Sequence, residues 1–347
     1  MVETRVIKIE KGSNLDELLE PAVNMIKKGC LVAFPTETVY GLGADALNDD
    51  AVKQIFKAKE RPADDPMILH VSSKNMVPSL VEEISPEAGR LMDTFWPGPL
   101  TLIFKKSKLV PDSATAGLPT VAIRMPSHPV AAKLIHLSNT PIAAPSANLF
   151  ERPSPTNARR VLEDLEGRIE CIIDAGDTDI GVESTILDLV HEKPTLLRPG
   201  GIKLEEIEKI IGPVEIHPSI KKKYFDGLIE SPGMKSKHYA PKAKVILVEG
   251  GKSRDRMESL GGSLIKEGKK LGFLLLKKGK FHLDGAISTT LGHDKEEIAK
   301  NLYEAFRDMD EEGVDVIITE DISEEGLGLA IMNRLRKAAD DIIEIDD

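Results

Sequence analysis

Residues 213–243 break the chain in two. Pro213, Pro218, Pro232, Gly233 and Pro241, with the run Lys221–Lys223, leave no helical or strand period across this stretch. On either side the sequence alternates short apolar runs with amphipathic segments, so the break separates two α/β bodies. A connector of this length inside a chain of 347 residues is either disordered or functional. It is also basic, carrying a net +4 over residues 215–244 against −11 for the whole chain. That overall charge argues against bulk nucleic-acid binding through a basic surface.

In the first body, the apolar spacing predicts helices over Leu15–Lys28, Asp49–Lys59, Pro86–Phe95, Pro129–Leu137, Asn157–Leu165 and Leu204–Ile211. Strands are expected at Cys30–Phe34, Met67–Val71, Leu100–Phe104, Thr120–Arg124, Ile142–Ala144, Ile169–Asp174 and Ser184–Leu189. Together they read as an open, mixed sheet with chemistry at the strand ends. After the break, Val245–Val248, Leu271–Leu276, Ala286–Thr290 and Val314–Thr319 read as strands. Arg254–Glu267, Lys295–Glu312 and Leu329–Ala339 read as helices, giving a small doubly wound domain. The expected division is 1–212, a linker at 213–243, and 244–347. Two cysteines inside apolar runs, Cys30 and Cys171, suit buried thiols in a reducing cytoplasm. No apolar stretch reaches the ~20 residues of a membrane helix.

Several familiar motifs fail on inspection. Gly41-Leu42-Gly43-Ala44-Asp45-Ala46 fits a dinucleotide fingerprint, but no acidic residue follows at the expected strand end, so its glycines are read as turn residues. The eight histidines are scattered without zinc spacing, and no G-x-S-x-G elbow occurs. What remains is a set of loops rich in hydroxyl and cationic groups. They are Thr36-Glu37-Thr38, Lys57-Ala58-Lys59-Glu60-Arg61-Pro62, Ala122-Ile123-Arg124, Ala143-Ala144-Pro145-Ser146-Ala147-Asn148, Glu183-Ser184-Thr185 and Leu197-Arg198-Pro199. Arg124 ends an apolar strand, where an unpaired charge is costly. Lys59 and Arg61 end a helix, where cations suit the dipole and an ordinary cap is an equally good reading.

Taken together, these loops resemble the YrdC-type threonylcarbamoyl-AMP synthases over residues ~8–212, with the family's K-x-R and S-x-N sets at Lys59-x-Arg61 and Ser146-x-Asn148. The remainder, including Ser231 to Pro241, is similar to the longer two-domain archaeal and eukaryotic form. The resemblance implies a YrdC-like open mixed twisted sheet followed by a small Rossmann-like domain. It implies synthesis of L-threonylcarbamoyladenylate and pyrophosphate from L-threonine, bicarbonate or CO2, and ATP, with Mg2+ carried on the ATP phosphates and no dedicated metal site. The product would pass to a complex that modifies tRNA beside the anticodon. The resemblance assigns catalysis to Lys59, Arg61, Ser146 and Asn148. Threonine binding falls to Thr36, His70, Arg124, Ala144 and Ser184. ATP binding falls to Lys59, Arg61, Thr120, Ser146, Asn148, Ser154, Arg198, His238 and Tyr239. Glu37 and Glu183 are neighbouring carboxylates that would bind substrate or brace a loop. Lys59 and Arg61 are expected at a helix end outside the core, and residues 231–241 are expected to close over the nucleotide as a lid.

Two other classes stay open at this stage. A double-stranded RNA or tRNA binding module would show salt-sensitive RNA binding without ATP turnover. A carbamoyltransferase using carbamoyl phosphate would carry additional zinc-binding and acylphosphatase-like segments, which the sequence does not contain.

Overall fold

The structure, a computed structural model, describes residues 2–221, 227, 231–234, 238–251, 253–276 and 281–345. They form two units. The first holds the described residues within 1–150, 154–220 and 225–235; the second holds those within 151–153, 221–224 and 236–347.

The strands of the first unit are β1 (Arg5–Lys8), β2 (Val32–Pro35), β3 (Tyr40–Asp45), β4 (Ile68–His70), β5 (Leu100–Lys105) and β6 (Thr120–Arg124). They continue with β7 (Ile142–Ala143), β8 (Cys171–Asp174), β9 (Thr185–Asp188), β10 (Thr195–Arg198) and β11 (Glu215–Ile216). Among the described residues they join one sheet in the order β1-β8-β2-β3-β7-β4-β6-β5-β9-β10-β11. Parallel pairs such as β4–β6 and β5–β9 mix with antiparallel pairs such as β2–β3 and β5–β6. The sheet is therefore mixed, as the sequence pattern implied.

Helices form where the apolar period and a cap coincide. Asp49–Lys59 starts at Asn48, whose side chain accepts from the Ala51 N–H, and carries Asp49 and Asp50 in its first turn. It stops at Glu60, which takes a left-handed φ of 55°. Its buried face is Val52, Ile55, Phe56 and Ala58, together with Lys59. Leu15–Lys27 and Pro129–Ser138 bury Leu19, Val23, Ile26, Leu134 and Ile135 in one core with Phe34, Ile142 and Ile173 from the sheet.

The Gly41–Gly43 segment corrects the turn expected there: it lies inside β3, antiparallel to β2 with Phe34 opposite Gly41. A Cβ at Gly43 would meet the Phe34 ring and an Ile142 methyl at 2.7 Å, so glycine is required by close packing and not by a bend.

In the second unit, β12 (Lys244–Gly250), β13 (Leu271–Leu275), β14 (Ala286–Thr290), β15 (Val316–Glu320) and β16 (Asp341–Ile345) pair in parallel in the order β14-β13-β15-β12-β16. Helices Ser253–Lys266, Lys295–Glu311 and Gly328–Ala338 connect them. The last strand was absent from the sequence reading. No helix among the described residues is long and apolar enough to cross a membrane.

Candidate active site

Sheet register builds the centre of the site. Ile142 of β7 stands opposite His70 of β4, His70 opposite Arg124 of β6, Arg124 opposite Thr101 of β5, and Thr101 opposite Ile186 of β9. Residues aligned across neighbouring strands share a face, so His70, Arg124 and Thr101 stand side by side at ~5 Å intervals.

The loop joining β2 to β3 meets this row. Arg124 Nη1 donates to Thr38 Oγ1 at 2.9 Å, and its Nε donates to the Gly98 carbonyl at 3.4 Å. Thr36 Oγ1 gives its proton to the Val39 carbonyl at 2.7 Å, so Thr38 Oγ1 donates to Thr36 Oγ1 at 2.8 Å while accepting from Arg124. This relay fixes the guanidinium from one side. On the other, Glu37 Oε1 lies 2.8 Å from Arg124 Nη2 with both side chains buried.

Thr101 extends the row to a second arginine. Its hydroxyl lies 2.7 Å from Ser184 Oγ, which accepts from Arg198 Nη2 at 3.2 Å. Arg198 also donates through Nε to the Ser184 carbonyl and through Nη1 to the Pro232 carbonyl. Next to Ser184, Glu183 accepts from Ser154 Oγ at 2.6 Å.

Lys59 reaches the loop after β7, where its Nζ donates to the carbonyls of Ser146 and Asn148. Gly41 bridges to Ser146, and the Ala144 N–H donates to the Ile68 carbonyl, so this loop is anchored to both β3 and β4. Arg61 Nη2 sits 3.0 Å from the Asp65 carboxylate and donates to the Pro66 carbonyl at 2.9 Å. The expectation that this pair lies outside the core is overturned, because Lys59 is 1% and Arg61 7% exposed. The helix end turns inward: Lys59 points to the loop that follows β7 and Arg61 to the loop that precedes β4.

Thr36, His70 and Arg124 thus belong to one cluster, Ser154, Ser184 and Arg198 to an adjoining one, and Lys59, Ser146 and Asn148 to a third, with Ala144 at the start of the same loop. Thr120 shares Arg124's face but lies four residues earlier on β6, ~13 Å along the strand. His238 and Tyr239 belong to the second unit. There their rings stack at 4.1 Å, Tyr239 stacks on Tyr303 at 5.5 Å, and Arg334 lies over the Tyr239 ring. Of the expected lid, 231–234 and 238–241 are seen, whereas Lys235, Ser236 and Lys237 lie outside the described residues. The sequence reading did not select Thr38, Thr101 or Asp65. Thr101 left one signal, a lone hydroxyl within the apolar strand Leu100–Lys105.

Burial and the charge of Arg124 push the His70 imidazole down to about 3, against an opposing pull from Glu37, so His70 is neutral. Its Nδ1 is buried without a hydrogen-bond partner. The unfolded chain takes up this proton below its ordinary value near 6.5, and the folded chain refuses it until about 3. The stability that His70 contributes is therefore present above pH ~6.5 and lost as pH falls toward ~3, by up to ~1.4 kcal/mol per unit. Denaturant unfolding between pH 6.5 and 5 should show a shallower loss for His70→Asn than for the unaltered chain. Equal slopes would mean that this histidine is protonated in the fold.

Among the described residues no group of three or more His, Cys, Asp or Glu side chains could hold a metal ion.

Comparison with known proteins identifies the family. A family profile for Sua5, YciO and YrdC, described as telomere recombination, matches residues 24–200. A second, described as the threonylcarbamoyl-AMP synthase C-terminal domain, matches residues 202–340. The threonylcarbamoyl-AMP synthase of Pyrococcus abyssi is 55% identical over 320 residues, covering 92% of this chain and 93% of that protein. That of Bacillus subtilis is 46% identical, covering 94% of each. A crystal structure of P. abyssi Sua5 complexed with L-threonine superposes with a TM-score of 0.94 at 52% identity, covering 99% of this chain and all of that one. Sequence, fold and the paired profiles agree: the chain belongs to the threonylcarbamoyl-AMP synthase family, in its two-domain form.

Proposed function

We propose that the chain condenses L-threonine, bicarbonate or CO2, and ATP into L-threonylcarbamoyladenylate and pyrophosphate, for transfer to tRNA by a downstream complex. The observation that carries this reading is the buried polar row of His70, Arg124 and Thr101, tied through Arg124 to Thr38 and Thr36. Arg124 takes the threonine carboxylate, with Thr36, neutral His70, Ser184 and the Ala144 backbone completing the pocket. The crystal structure of the P. abyssi relative with L-threonine supports that choice of ligand.

The chemistry needs no protein nucleophile. The threonine amine adds to CO2, and a carbamate oxygen then displaces pyrophosphate from the α-phosphorus of ATP. The protein's part is orientation and charge stabilisation. Lys59 and Arg61, with Ser146 and Asn148, stabilise the charge that develops on the phosphates. Ser154, Arg198 and Thr120 hold the nucleotide. Mg2+ enters on the triphosphate as part of the substrate. The protein acts in the cytoplasm.

The test is incubation of the full chain with ATP, Mg2+, bicarbonate and labelled L-threonine, followed for pyrophosphate and a labelled adenylate. Valine, which replaces the hydroxyl by a methyl, should be slower by ~10⁴-fold, because it would leave buried polar groups unpaired. Comparable turnover of valine would remove the hydroxyl-reading pocket; absence of any labelled adenylate would remove the proposed reaction.

A further inference from the structure

One charged group in this pocket has no role in the scheme above. Glu37 is 5% exposed, sits between the two threonines of the β2–β3 loop, and touches Arg124 Nη2 at 2.8 Å. Both side chains are buried, so this ion pair is shielded from water. The other two nitrogens of Arg124 are already committed to Thr38 and Gly98. Each terminal nitrogen carries two N–H bonds, so Nη2 and the second N–H of Nη1 remain for a ligand carboxylate, and Nη2 also faces Glu37.

A bound carboxylate therefore shares one guanidinium with a second, fixed carboxylate. Two like charges that close repel, and the low local dielectric enlarges the effect. His70, the next group in the row, is neutral and offers no compensation. Burial would raise the Glu37 carboxyl, but Arg124 and the nearby N–H groups of Glu37 and Ser127 hold it below the ordinary carboxylate value, so the negative charge persists at neutral pH.

We propose that Glu37 is the charge-selecting residue of the amino-acid pocket: paired with Arg124, it makes the site neutral and so admits a zwitterion, carboxylate toward Arg124 and ammonium toward Glu37, while rejecting a simple carboxylate. The inference rests on the threonine reading of this pocket. It explains why a chain would bury a carboxylate against the cation it needs for binding. Without Glu37 any small carboxylic acid of suitable shape could occupy Arg124 and block the site.

The experiment is competition against labelled L-threonine on the full chain, using threonine and 3-hydroxybutanoate of matching C3 configuration, which lacks only the amino group. The unaltered chain should bind threonine far more tightly. In Glu37→Gln the ratio of the two affinities should shrink by at least ~10-fold, with 3-hydroxybutanoate binding more tightly than before and threonine less. Glu37→Asp, which keeps the charge, should retain most of the original ratio.

An equal change in both affinities would leave Glu37 as a brace for Arg124 and overturn the proposal. So would an unaltered chain that binds both compounds alike, a measurement that needs no variant to fold. Arg124→Lys separates the two levels of the argument. If threonine does not bind, or binds equally well to Arg124→Lys, the pocket assignment itself fails and the role of Glu37 falls with it. If Arg124→Lys weakens threonine and Glu37→Gln leaves the ratio unchanged, only the role of Glu37 fails.

Discussion

Lys59→Ala is expected to lose both turnover and stability. The side chain is buried, and its ammonium donates to two loop carbonyls, Ser146 and Asn148. Hydrogen bonds from a charged donor contribute ~1.5–3 kcal/mol each, and removing the donor leaves both carbonyls buried without it. A net loss of ~3 kcal/mol corresponds to a fall in unfolding midpoint of ~6–12 °C for a body of about two hundred residues. Pyrophosphate release should fall by ~10²–10³-fold, the usual cost of one charge-stabilising donor. Calorimetry and a pyrophosphate assay on the same preparation check both parts. A variant with an unchanged midpoint and unchanged rate would return Lys59 to the rank of a helix cap. The sequence alone suggested a variant of intact stability; burial at the helix end changes that expectation.

Arg124 and Glu37 should behave as a coupled pair. Arg124→Ala leaves the Glu37 carboxylate buried beside neutral His70, a loss of ~3–5 kcal/mol. Removing Glu37 as well should recover part of that stability, so the double variant unfolds at a higher temperature than Arg124→Ala. Activity should not return, because the ligand for the threonine carboxylate is still missing. Strictly additive midpoints across the four proteins would show that the two charges do not interact. Recovery of threonine-dependent turnover in the double variant would show that Arg124 does not bind substrate.

Local signals were read well wherever period and cap agreed. Ser85 caps Pro86–Phe95, with proline in the first turn, and Asn48 caps Asp49–Lys59; both helices keep their expected bounds. β6 coincides with its apolar run from Thr120 to Arg124. β3 was lost because its small residues answer to the Phe34 ring on the neighbouring strand, and no local pattern records that contact. In the site, the residue types were legible and their partners were not. A lysine at a helix end looks like a cap until the loop 87 residues later supplies its acceptors. A glutamate between two threonines looks like a loop residue until the sheet brings Arg124 beside it. The stacking of Tyr239 on Tyr303 depends on a helix more than fifty residues downstream, which no local pattern records.

Four of the bonds that hold the site together join Thr101 to Ser184, Arg124 to Thr38, and Lys59 to Ser146 and Asn148, across separations of 83, 86, 87 and 89 residues. Each closes a long loop, whose entropy is repaid only when the strands between have taken their places. During synthesis from the N-terminus, Thr36, Lys59, His70 and Thr101 are all made well before Ser184 and Arg198, which lie on or beside the late strands β9 and β10. The Ser184 and Arg198 side of the site is therefore among the last features of its unit to form. Secondary structure can accumulate while the site is still incomplete. High contact order, usually a burden on folding rate, here ties competence to completion of the sheet.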